Sequence, residues 1–167
     1  YGGTVVFSGS TIGSGGTTVE AGTLLVEGSV DGGISIGSAG ALGGDGFVTG
    51  SVSFLAGAEF VFDPLTTLTV DSGSVTFGGF SIADIIGLSS STPENTYTLI
   101  GGNATFDFDN VSNVGFVNRA SLGDGKFAYF QPGSLQLVVV PEPGTLLLGG
   151  VAVASSILYA RRARRRP

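Results

Sequence analysis

Phe106-Asp107-Phe108-Asp109-Asn110 brings two carboxylates and an amide within five residues, the densest set of oxygen ligands in the chain. On a strand, Asp107 and Asp109 would share one face and the two phenyl rings the other. Such a face could hold calcium, and the solvated side of an ordinary strand has the same pattern. Glycoside hydrolysis requires two carboxyls at a set separation across a cleft, and no pair here can be singled out for it. Gly43-Gly44-Asp45-Gly46 has the glycines of a phosphate-cradling loop, but no helix pattern follows it, so the nucleotide reading fails its structural condition. No catalytic, cofactor-binding or metal-ligating residue emerges from these segments.

Composition narrows the chemistry further. The 167 residues contain no His, Cys, Met or Trp. The commonest general base, the thiolate nucleophile and the usual zinc or copper ligands are therefore missing, and a disulfide framework is impossible. The net charge of −6 hides an asymmetry, because five of the seven cations are the C-terminal Arg161, Arg162, Arg164, Arg165 and Arg166. Residues 1–140 carry only Arg119 and Lys126 against twelve acids. That balance repels phosphate backbones and argues against nucleic acid as a partner.

The elements that would position any site read as β. Thirty glycines punctuate short runs of Val, Ile, Phe, Leu, Thr and Ser. The spacing predicts strands over 4–7, 17–19, 23–26, 33–36, 47–55, 60–62, 68–70 and 74–77, all too short for helices. A phrase of strand, glycine turn and strand at Thr18 to Gly28 is echoed at Thr69 to Gly78, with a looser copy from Phe54 to Val61. A unit that cannot bury its own apolar face is the logic of a stacked β-solenoid. The uneven steps from Gly22 to Gly57 to Gly73 leave a loosely repeating β-helix or a β-sandwich. Residues 80–88 fit a helical turn or a buried strand, and 89–95 read as a loop. Strands are expected at 96–100 and 104–109 as a hairpin around Gly101-Gly102-Asn103. Further strands are expected at 126–130, after Asp124-Gly125, and at 134–140. The expected organisation is a Gly-rich β-strand repeat region over 1–80 and a capping region over 81–140, whose small antiparallel sheet closes the open end of the repeats. Threonine pairs such as Thr67 with Thr69, or Thr96 with Thr98, could build a flat hydroxyl face of the kind that binds ice, but their period is ragged.

Ser14-Gly15-Gly16-Thr17-Thr18-Val19-Glu20-Ala21-Gly22-Thr23-Leu24-Leu25-Val26 resembles the autotransporter-associated β-strand repeat of long bacterial surface passengers. That resemblance implies a β-helical fold and a surface location.

The last 28 residues have a different design. Val140-Pro141-Glu142-Pro143-Gly144 forms a hinge, residues 144–160 are uncharged and largely apolar, and 161–167 hold the five arginines. As a helix, 17 residues span about 26 Å, close to the hydrocarbon core once arginine stems snorkel. The arginines hold the C-terminus in the cytoplasm. Two prolines disfavour regular structure around Glu142 and leave an extended, accessible peptide outside the bilayer. A permanent single-span anchor satisfies the same physics.

Hinge, span and basic cluster together resemble the PEP-CTERM sorting signal of bacteria that make exopolysaccharide. The resemblance implies a membrane exosortase as processing partner, with Pro141, Glu142 and Pro143 as the sorting and cleavage motif over a 141–167 signal. It also implies a single-pass stage at the inner membrane, followed by the cell surface or extracellular space. Export requires a leader, and the chain opens Tyr1-Gly2-Gly3-Thr4 without one, so the sequence reads as the C-terminal part of a longer protein.

The function expected is a non-enzymatic cell-surface or matrix protein, adhesin-like or part of a biofilm, with exopolysaccharide as a further partner and no cofactor. The alternatives are a carbohydrate-active β-helix, such as a polysaccharide lyase or depolymerase, and an ice-binding β-helix bearing the same tail.

Overall fold

A computed structural model describes residues 2–11 and 15–142. It is all-β, with about four solenoid-like turns and no α-helix among the described residues. A first strand, β1 (Thr4–Phe7), is followed by a turn made of β2 (Thr17–Val26) and β3 (Ser29–Val30), then by one made of β4 (Ile34–Gly44) and β5 (Phe47–Val48). The third turn contains β6 (Val52–Phe54), β7 (Glu59–Val61) and β8 (Leu68–Val70), and the fourth β9 (Ser74–Phe77), β10 (Ile85–Ile86) and β11 (Asn95–Gly101). β12 (Thr105–Phe106), β13 (Ala120–Gly123), β14 (Lys126–Gln131) and β15 (Leu135–Pro141) complete the chain.

Parallel pairing stacks the turns into two sheets. One runs β1-β2-β4-β6-β9-β12, with β7 and β10 stacked below the second half of β4, and the other runs β13-β14-β15-β11-β8-β5-β3. Thr23, Ala41 and Glu59 lie above one another, an 18-residue step. The step from Val52 to Val75 is longer, because 63–67 are inserted between β7 and β8. A solenoid tolerates such insertions when they bulge outward from a conserved rung pattern.

This register identifies the true repeat. The close echo between Thr18 and Thr69 joins different faces, since Thr18 lies in the first sheet and Thr69 in the second. The looser copy at 54–61 is the structural equivalent: Val19 stacks on Ile36 and Ile36 on Phe54, and Gly22 and Gly57 turn the same corner with φ of +85° and +84°. Likeness of words misled because all faces share one alphabet of Val, Thr and Gly.

Inward positions alternate with outward ones and form one core. Phe54 and Phe77 stack at 5.4 Å, Phe80 packs on both, and Phe130 stacks on Phe80 at 5.7 Å. This aromatic column ties the antiparallel strands to the solenoid. Burial of such rings is the main stabilising term. At one outer corner, side chains bridge successive turns: Asp31 N donates to Thr11 Oγ1, Thr49 to Asp31 Oδ1, Ser72 to Thr49 O, and Asn103 Nδ2 to Asp71 Oδ1.

Other expectations are corrected. Residues 47–55 are two strands separated by the corner at 49–51. The hairpin around 101–103 does not form. β11 pairs with β8 and β15, β12 pairs with β9, and Ala104 N donates to Val70 O, so Gly101-Gly102-Asn103 is a solenoid corner. Residues 80–88 contain both anticipated forms, a 3-10 turn at Ile82–Asp84 and then β10. The antiparallel strands β11, β15, β14 and β13 continue the second sheet past the last parallel pair.

Candidate functional site

The carboxylates singled out in the sequence serve local structure. Asp107 Oδ1 accepts from Asp109 N at 2.9 Å, a turn in place of the expected flat strand, which ends at Phe106. Phe106 and Phe108 still stack, at 6.2 Å. Asp84 Oδ2 accepts from both Ser81 N and Ser81 Oγ at 2.8 Å, closing a capping box. No group of three or more metal-ligating side chains occurs among the described residues. Gly43-Gly44-Asp45-Gly46 ends β4 and enters β5. Asp45 lines a groove of about 420 Å³ with Leu25, Glu27, Val61, Asp63 and Thr66. A groove lined by Asp84, Asp107, Asp109 or Arg119 would have favoured the carbohydrate-active alternative, and none of the four lines this one.

Hydroxyls do align, though not at the threonines first considered. Thr18, Ser35, Ser53 and Thr76 stack through four strands of the first sheet, pointing away from the core. Ser51 and Ser74 begin a second column beside it, with Ser74 N donating to Ser51 Oγ at 3.1 Å. Parallel strands set the rungs about 4.8 Å apart. Thr67, by contrast, spends its hydroxyl on Thr98 O at 2.8 Å.

The C-terminal end of the fold is the second place where functional residues converge. β15 is flanked by β14 and β11 along most of its length, but pairing with β11 stops at Asn95–Val139. Val140 and Pro141 run on, paired only with Phe127 and Lys126 of β14. A proline fits there because a strand end with one neighbour can spare an N–H. Glu142 N then donates to Gly125 O at 2.6 Å. Pro141 and Glu142 have exposed side chains, yet their backbone is docked on the fold, where the sequence had indicated a free hinge.

The dock is the β13–β14 hairpin. Asp124 and Gly125 both have positive φ, +50° and +71°, the signature of an Asp-Gly turn that matches strand twist. Asp124 Oδ2 accepts from Ser90 Oγ at 2.6 Å and Lys126 Nζ donates to Thr92 O at 2.8 Å, so the 89–95 loop braces the turn. Beside it, the Arg119 guanidinium lies between the rings of Phe116 and Phe127, at 4.3 and 4.6 Å from their centroids. The sequence offered Arg119 and Lys126 only as the cations able to neutralise an acidic sugar in the carbohydrate-active alternative, not as neighbours of the tail. That both cations of residues 1–140 lie close together before the tail was the available signal.

Pro143, the expected membrane helix at 144–160 and Arg161, Arg162, Arg164, Arg165 and Arg166 lie outside the described residues. Among the described residues no helix is long and apolar enough to cross a membrane. Comparison with curated proteins and with solved structures finds no match to the chain. Residues 139–166 match the family model of the PEP-CTERM protein-sorting motif, which overlaps the last three residues of β15. The chain therefore carries, fused without a spacer to a solenoid-like β fold, the sorting signal through which exosortase processes exported proteins.

Proposed function

We propose that the protein is a non-enzymatic structural component of the bacterial cell surface or extracellular matrix. It would pass through a stage in which 144–160 span the inner membrane and the arginines remain in the cytoplasm, and exosortase would then cut near Pro141 to Pro143. The observation that carries this reading is the sorting motif joined directly to a stacked β fold. Supporting it, the Asp84 and Asp107 carboxylates are engaged in a cap and a turn. The likeness of 14–26 to the autotransporter-associated repeat points the same way. An acidic, extended flank would act by repeated weak contacts, with exopolysaccharide as the polymer partner. Deleting the gene and scoring matrix cohesion and surface attachment tests the role, with unchanged matrix and attachment counting against it.

A second reading is favoured by the hydroxyl columns. A flat array of Thr and Ser on parallel rungs could order water and bind ice. Thermal hysteresis measured on the protein, and its loss in Ser53→Tyr, would select that reading over the first.

A further inference from the structure

We propose that Phe116, Val117, Arg119, Phe127 and Tyr129 form a face that docks on the phospholipid headgroup region of the membrane holding the tail. The proposal rests on the reading that 144–160 span that membrane. Three observations carry it.

The first is exposure without a structural reason. Phe116 and Val117 form the tip of a 3-10 turn and are 42% and 89% exposed. Phe116 meets Tyr129 edge-on at 5.8 Å, so the tip is backed by a second ring. Tyrosine and phenylalanine beside a protruding apolar tip suit the boundary between headgroups and acyl chains.

The second is charge. Residues 1–140 hold two cations among fourteen charged side chains, and both flank this face. Arg119 donates from Nη1 to Phe116 O at 3.1 Å, and its Nε is buried with no acceptor among the described residues. The rings hold the guanidinium in place, and its outer Nη donors, not the buried Nε, are the ones a phosphate would meet. The acidic solenoid is repelled by an anionic leaflet, and with Asp124 in the neighbouring hairpin and Glu142 bonded to it the attraction is local to the Arg119 guanidinium.

The third is position. Phe127 is the register partner of Val140 and Lys126 that of Pro141. Two residues, Glu142 and Pro143, separate Pro141 from Gly144, at most about 11 Å of chain. If the span begins at Gly144, the β14 end of the face lies at headgroup depth. Docking would fix the sorting peptide at that depth and orient the solenoid away from the surface.

The chain lacks Trp, so single reporters are unambiguous. The full chain is reconstituted in phosphatidylglycerol-containing vesicles with and without brominated acyl chains. Val117→Trp is read against Val153→Trp in the tail and Val5→Trp at the other end of the stack. The expected result is that Val117→Trp and Val153→Trp each lose about half their emission or more, and Val5→Trp little. Adding Arg119→Ala should weaken quenching at Val117→Trp without changing that at Val153→Trp, and circular dichroism confirms that the variant remains folded. Quenching at Val153→Trp alone overturns the docking face and leaves the anchor standing. Quenching at neither tail nor face overturns both. Equal quenching at all three positions overturns a specific face in favour of general adsorption.

Discussion

Gly22 shows how much a single position can demand. Its φ of +85° lies where an L side chain is strained, and a Cβ there would come within 2.5 Å of Gly3 O. Gly22→Ala should cost about 1–3 kcal/mol, read as a lower denaturation midpoint of the full chain in detergent. Phe54 is 1% exposed and meets Phe60, Phe77 and Phe80. Phe54→Ala should cost about 3–5 kcal/mol, enough to remove much of a small fold's stability. Asn103→Ala removes one exposed cross-turn hydrogen bond to Asp71 and should cost about 0.5–1 kcal/mol. An equal loss for Phe54→Ala and Asn103→Ala would mean that the polar corner, and not the aromatic column, carries the stack.

At the scale of elements, the β13–β14 hairpin holds the backbone of Pro141 and Glu142 against the fold. The Glu142 amide, bonded to Gly125 O, should exchange with solvent about as slowly as an edge-strand amide and well below the rate of a free linker. Substituting Gly125, whose φ is +71°, with Val should strain the turn and speed that exchange, which hydrogen-exchange NMR of the full chain reads directly. Much at this scale was legible beforehand. Alternation and glycine spacing located most strands, and Asp124-Gly125 marked a turn by its residue types alone. What could not be read was pairing. The segments around 101–103 have hairpin composition but bond to turns some thirty residues earlier, a non-local choice made by burying Ile100 and Ala104 in the stack. The partial docking of Pro141 was hidden for the same reason: its partner Lys126 is distant in sequence, and proline argued locally for irregular chain. Local chemistry also misassigned the carboxylate pair, because a turn at Asp107 depends on where β12 ends.

For the whole molecule, the proposed functions divide between two regions that share residues. The β fold is acidic in balance and carries hydroxyl columns, and its last strand supplies the first residues of the sorting motif. The tail's meaning was legible in the sequence, since hinge, apolar segment and arginines are contiguous. The face around Arg119 was not, because it is assembled from a 3-10 turn and β14 by folding. The proposed mature product is the fold, with the tail removed by exosortase. The most direct test is the mass of the C-terminal peptide of the protein recovered from isogenic cells with and without exosortase. A new C-terminus near Pro141 to Pro143 is expected when the enzyme is present, and an intact arginine tail when it is absent. An intact arginine tail in both strains would contradict the proposal and establish a permanent anchor.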